Sequence, residues 1–192
     1  MQIRQILLIR HCEVPDEYRG RYIGSTDVPL SEAGRAAARN LAPQLASFAP
    51  ETIVSSPLRR AVETAELAAP GREIRFDPRL TEIDFGAWEA LTFAEIEQRA
   101  APEELRCWSE SPGEMRFPGG ESFPAFRRRV DAAFAELLAG TAGEIVAVVT
   151  HGGPAMRILA TLHHLPAERQ HELLPPRGSI TVLNFHQGVF QP

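Results

Sequence analysis

Two short apolar runs each deliver a histidine. Ile6-Leu7-Leu8-Ile9 leads into Arg10-His11, and Ile145-Val146-Ala147-Val148-Val149 leads through Thr150 into His151-Gly152-Gly153. Imidazole is the side chain that changes charge nearest neutral pH, and a guanidinium beside it suits the paired oxygens of a phosphate. A third run, Thr52-Ile53-Val54-Ser55, ends in Ser56-Pro57-Leu58-Arg59-Arg60. Histidines, arginines and glycines that admit a ligand close to the backbone are together suited to phosphoryl chemistry. Each piece alone is common, and it is their matching positions at run ends that carry weight.

Continuous Val, Ile and Leu runs bounded by polar and glycine residues read as strands buried on both faces of a parallel sheet. Ligands of such sheets bind beyond the carboxyl ends of the strands, where both histidines would sit. With the three strands as parallel neighbours, their outputs converge on one crevice. Pro57 suits the first turn of a helix capped by Ser56, which puts Arg59 where unpaired N–H groups and the helix dipole favour an anion. Arg60 is expected to face solvent or make a salt bridge.

The remaining elements alternate helix and strand. Ser31 reads as the cap of a helix with Ala33, Ala37, Leu41 and Leu45 on one face. A weaker strand lies near residues 73–76, a long amphipathic helix near 122–138, and a helix near 154–164. Alternating Ile180, Val182 and Phe185 predict an edge strand. Between residues 77 and 120 prolines break the pattern, with a capping box at Thr92 and Glu95; this reads as a lid-like insertion over the site. The expected architecture is a three-layer α/β/α sandwich with a mostly parallel central sheet and an antiparallel edge strand.

Bulk properties exclude other classes. A chain of 192 residues suits one domain, 1–192, and 44% hydrophobic with 23% charged residues is ordinary for a globular protein. No run approaches the roughly 18 apolar residues of a membrane span, and the first residues lack a secretory pattern, so a cytoplasmic protein is expected. Cys12 and Cys107 have no metal-type spacing, and no disulfide is expected. A net charge of -5 argues against broad nucleic-acid binding, whereas a small anion needs only local arginines.

Leu8-Ile9-Arg10-His11 and the stretch Gly20-Arg21-Tyr22-Ile23-Gly24-Ser25-Thr26-Asp27-Val28-Pro29-Leu30-Ser31 resemble the opening of the histidine phosphatase superfamily, the phosphoglycerate mutase-like fold. The likeness continues through Ser55-Ser56-Pro57-Leu58-Arg59-Arg60-Ala61, Leu80-Thr81-Glu82-Ile83-Asp84-Phe85-Gly86-Ala87-Trp88-Glu89, Pro118-Gly119-Gly120-Glu121-Ser122 and Val149-Thr150-His151-Gly152-Gly153. It covers nearly the whole chain in order. The resemblance implies a metal-independent phosphomonoesterase without cofactor, with His11 as the phosphorylated nucleophile and Glu82 as proton donor. It further implies that Arg10, Arg59, His151 and Gly152 hold the phosphoryl group, His151 as a cation. The apolar neighbours Leu80, Ile83 and Phe85 are of the kind that raises a carboxyl's pKa. The expected partner is a small phosphorylated metabolite, not nucleic acid or a membrane, and a homodimer is the oligomer considered.

The chain departs from the family at Cys12, where glycine is usual, at Val14, where Ser or Thr is usual, and in lacking the downstream phosphate-contacting Asn. Cys12 reads as a small packed residue. The stretches at residues 20–31 and 81–96 look most like the α-ribazole-5'-phosphate phosphatases of cobalamin assembly. The alternatives are a phosphoglycerate mutase, generally a longer chain in this family, and a non-catalytic module that binds phosphate ligands. Other candidates have plainer readings: Arg127, Arg128 and Arg129 as a solvated helix face, with one of them reaching a substrate as the alternative; His163, His164 and His171 as helix-end or solvated residues rather than metal ligands; His186 as a surface residue; and Phe85, Trp88, Trp108 and Phe117 as lid core rather than a base-stacking platform.

Overall fold

The computed structural model describes residues 3–140, 144–186 and 189–191, with side chains over the same residues except 167, 168, 186 and 189–191. The apolar runs form β1 (Gln5–Arg10), β2 (Thr52–Ser55) and β4 (Ile145–Thr150), joined by the two-residue β3 (Arg75–Phe76) in one parallel set. Sheet order is β3-β2-β4-β1, continued beyond β1 by β5 (Ile180–His186) and then β6 (Val189–Gln191). The central three strands are thus neighbours, and β4 lies between β2 and β1. Ile6, Leu7, Leu8 and Ile9 and Val146 through Val149 are all buried, as strands covered on both faces must be. Each such side chain contributes about 1.5–3 kcal/mol on burial.

The strand β5 (Ile180–His186) runs antiparallel to β1, as the alternation predicts, and β6 (Val189–Gln191) extends the sheet one strand further by pairing antiparallel with β5. The His186 side chain lies outside the described residues. Apolar side chains on the two sheet faces form two clusters. One holds Leu7, Ile9, Cys12 and Ile53 against α1 (Glu32–Phe48) and α2 (Arg59–Ala68). The other holds Ile6, Leu8 and Val148 against α5 (Phe123–Gly140), α6 (Gly152–Leu162) and the aromatic residues of the 77–120 segment. Cys12 is buried in the first cluster, and Cys12 and Cys107 are both free thiols.

Local rules account for the helix starts. Ser31 Oγ accepts from Gly34 N at 2.9 Å, and Thr92 with Glu95 closes the capping box of α3 (Phe93–Glu97); such caps are each worth about 1 kcal/mol. At α2 the expectation fails: the helix begins at Arg59 with Leu58 as its cap residue, and Asp27 Oδ1 reaches across to accept Arg59 N at 2.6 Å. Between α3 and α5 lies α4 (Pro102–Glu110). Trp88, Phe117 and Trp108 meet edge to face there, with centroids 5.4–5.8 Å apart, as a packed core. Among the described residues no helix is long and apolar enough to cross a membrane.

Candidate active site

The ends of β1, β2 and β4 open on a cavity of about 360 Å³, lined among others by Arg10, His11, Arg60, Glu82, Gly152 and Gly153. Its outer wall carries Tyr22, Phe85, Met156 and Leu174 together with Arg21 and Arg177. Four arginines against one carboxylate make this a cationic pocket in an acidic chain.

His11 is nearly buried, and its Nδ1 lies 2.7 Å from the Cys12 carbonyl oxygen. A carbonyl only accepts, so Nδ1 carries the proton and Nε2 keeps its lone pair. Burial, followed by the positive charge of Arg60, holds the ring's pKa well below the ordinary histidine value. The resting state is therefore a neutral imidazole with a free nucleophilic nitrogen.

Arg10 is held by Nη1 to the Pro175 carbonyl at 2.7 Å, while its Nε is buried without a partner among the described residues. A side chain at Gly152 would press on Leu174 and on the Arg10 guanidinium. At Gly153 a Cβ would fall 2.2 Å from Glu82 Oε1, so the start of α6 approaches the carboxylate only because this residue has no side chain. Glu82 Oε2 accepts Gly153 N and Oε1 accepts Ile83 N, both at 3.0 Å.

His151 is fully buried, with its ring 5.2 Å from that of His11, and Nε2 lies 2.7 Å from Ser56 Oγ. Its Nδ1 has no partner among the described residues. The expected cation is not what the structure holds: burial first, then the charge of Arg60, depresses the pKa of His151 well below 6.5. With Ser56 Oγ donating to Nε2, the neutral ring carries its proton on Nδ1; the ring is fully buried and is not among the residues that line the cavity.

The two arginines of α2 exchange their expected places. Arg59, side chain 56% exposed, pairs with Glu63 at 2.6 Å and does not line the cavity. Arg60 is 1% exposed and lines it, its guanidinium donating to the carbonyls of Thr26 at 2.9 Å, Gly24 at 2.7 Å and Ile23 at 3.4 Å. The physical reason is helix phase. Arg60, Thr64 and Ala68 share the buried stripe, whereas Arg59 and Glu63 form an outward i,i+4 pair.

Further residues position these groups. Glu89 accepts from the backbone N–H groups of Gly24, Ser25, Thr26 and Phe85 and from the Thr26 hydroxyl, which shapes the loop whose carbonyls hold Arg60. Arg129, expected on a solvated face, instead donates to the carbonyls of Arg79, Thr81 and Glu82 and pairs with Glu121 at 2.8 Å. It stands three residues after buried Phe126, a spacing that marks the inner face of α5. Thr64 Oγ1 accepts Cys12 N at 3.1 Å and ties the segment after His11 to α2. Of the expected aromatic core, Trp88 and Phe117 are buried, while Phe85 reaches the cavity wall.

A neutral histidine nitrogen, two cationic anion ligands, a helix N-terminus and a carboxylate in one cavity can transfer and hydrolyse a phosphoryl group. Comparison with known proteins agrees with that chemistry. The model of the histidine phosphatase superfamily (branch 1) matches residues 6–192. Phosphoserine phosphatase 1 of Hydrogenobacter thermophilus is 35% identical over 160 residues, covering 82% of this chain and 75% of that protein. The adenosylcobalamin/alpha-ribazole phosphatase of Escherichia coli is 29% identical over 185 residues, 95% of this chain and 91% of its own length. Among solved structures, the alpha-ribazole phosphatase of Shigella flexneri superposes with a TM-score of 0.88 at 28% identity, over 97% of this chain and 93% of that one.

Proposed function

Because the chain belongs to the histidine phosphatase superfamily, we propose that it is a metal-independent phosphomonoesterase that works through a phosphohistidine at His11. The observation that carries this reading is the state of His11: Nδ1–H committed to the Cys12 carbonyl and Nε2 free, in a cavity shared with Arg10, Arg60 and Glu82. The donor set suits an anion, since arginines repel a metal ion and attract phosphate.

In the first step Nε2 of His11 attacks phosphorus and the P–O bond to the leaving group breaks. Glu82 in its protonated form gives its proton to the departing alkoxide. Charge on the equatorial oxygens is taken by Arg10, Arg60, the Gly152 N–H at the start of α6 and the His151 ring. In the second step water attacks the phosphohistidine and loses a proton to Glu82, which returns His11 neutral and releases phosphate.

The substrate class is a small phosphorylated metabolite met inside the cell. Within it, α-ribazole 5'-phosphate, named for the relatives from Escherichia coli and Shigella flexneri and a link to cobalamin assembly, is the reference ester. The test is kcat/KM over a panel of phosphate esters that includes it, run with the wild type and His11→Ala. Wild-type turnover with an acid-labile phosphorylated chain, both abolished in His11→Ala, is the expected result; full activity in the variant overturns the nucleophile. Interconversion of 2- and 3-phosphoglycerate with little phosphate release would replace hydrolysis by mutase chemistry. Binding without turnover of any ester would leave a phosphate-binding module.

A further inference from the structure

Four arginines line the cavity, and they differ in how fully they are occupied. Arg60 donates to three carbonyls, Arg10 to Pro175, and Arg21 to the carbonyls of Glu17 and Ala90 and to the Glu95 carboxylate. Arg177 makes one bond among the described residues, Nη1 to Glu13 Oε2 at 2.8 Å, and its side chain is 29% exposed. It stands at the cavity wall, and among the described residues its Nε and Nη2 carry no bond.

The segment that carries Arg177 is built onto the nucleophile. Gly178 N donates to the carbonyls of Arg10 and His11 at 3.0 and 3.2 Å, Arg10 N donates to the Ser179 carbonyl at 3.3 Å, and the Arg10 side chain holds Pro175. Gly178, at φ +66, packs on Cys12, where a Cβ would lie 3.1 Å from Sγ. Glu13 then fixes the guanidinium from the same stretch of chain. A rim salt bridge needs none of this anchoring.

We propose that Arg177 is a specificity residue that binds a carboxylate on the leaving half of the substrate, so that the preferred esters are phosphorylated hydroxy acids. This rests on the phosphomonoesterase reading of the same cavity. A carboxylate is favoured over a second phosphate because Glu13 already offsets part of the guanidinium charge, and the free Nε/Nη2 edge suits one planar, singly charged acceptor. After burial, Arg177 is the main influence lowering the Arg10 pKa, the mark of two like charges facing one space that a bound anion would relieve.

O-phosphoserine and O-phosphoethanolamine differ only in the carboxylate and form the decisive pair. The wild type is expected to favour O-phosphoserine at least tenfold in kcat/KM, and Arg177→Met to erase that preference mainly through KM, with Arg177→Lys restoring part of it. Absence of a wild-type preference, or an equal loss on both esters in Arg177→Met, overturns the proposal. Calorimetric binding of both esters to His11→Ala, with and without Arg177→Met, separates the two readings. If wild type hydrolyses neither ester, the phosphatase reading is decided by the wider panel, and the subsite stands or falls on whether the carboxylate still tightens binding through Arg177.

Discussion

At the scale of single residues the site depends on which protonation states burial permits. His11 is neutral in the folded chain because its charged form would lose hydration beside Arg60 and Arg10. The acid limb of kcat/KM should therefore lie well below the ordinary histidine value of 6.5; a limb at or above 6.5 in a pH–rate profile contradicts it. Replacing Arg60 by alanine should lower kcat/KM by about 10²–10³-fold, the usual cost of losing one pre-placed donor to a developing charge. Arg59→Ala should change it less than about threefold, as expected for a surface ion pair. Since Arg60→Ala also leaves three carbonyls without their donor, Arg60→Lys with a melting temperature measured alongside separates catalysis from folding. The motif around these residues is legible, but capping by Ser56-Pro57 points to Arg59 as the phosphate ligand, whereas Arg60 lines the cavity. Helix phase decides that choice, and the fourfold recurrence of Arg60, Thr64 and Ala68 was present in the sequence. The Cys12 carbonyl that holds His11 carries no side-chain signature at all, so no residue type could reveal it.

At the scale of elements, strands deliver the site and loops tune it. The apolar runs, their parallel order and their polar ends followed from composition, because a strand buried on both faces has few alternatives. The loop at residues 23–27 did not, since its shape comes from a carboxylate more than sixty residues away. Glu89→Gln exchanges an oxygen that accepts for an NH₂ that meets several backbone N–H groups, so the loop must shift and Arg60 with it. Expected is at least a tenfold weaker inhibition by vanadate at little change in melting temperature. Unchanged vanadate affinity would show that Glu89 supports the loop without setting the arginine. Arg129→Met should act on the other half of the reaction, because its carbonyl partners include Glu82 itself. A fall in kcat larger for esters of poor leaving groups than for p-nitrophenyl phosphate is the signature to look for, since a good leaving group needs little help from an acid.

At the scale of the molecule, burying two neutral histidines makes stability depend on pH. The folded pKa values lie below 6.5, so between the two values the unfolded chain binds protons that the native chain does not. Stability is full above about pH 6.5 and falls as pH drops through that window, by up to about 1.4 kcal/mol per unit for each ring and about 2.7 for both. Urea midpoints measured from pH 7.5 to 5.5 should fall accordingly, and His151→Gln should show a shallower slope. A midpoint independent of pH over this range contradicts the buried neutral pair.

The bond from Arg10 to the Pro175 carbonyl joins residues 165 positions apart. During synthesis His11 emerges early, yet the backbone that seats it, Pro175 through Ser179, is made only after β4 and α6. The anchor of Arg10 and this wall of the pocket are thus supplied by the last part of the chain to be made. The pocket is therefore whole only in a chain made through Ser179, and a truncation ahead of Pro175 should leave Arg10 without its anchor and the cavity without one wall.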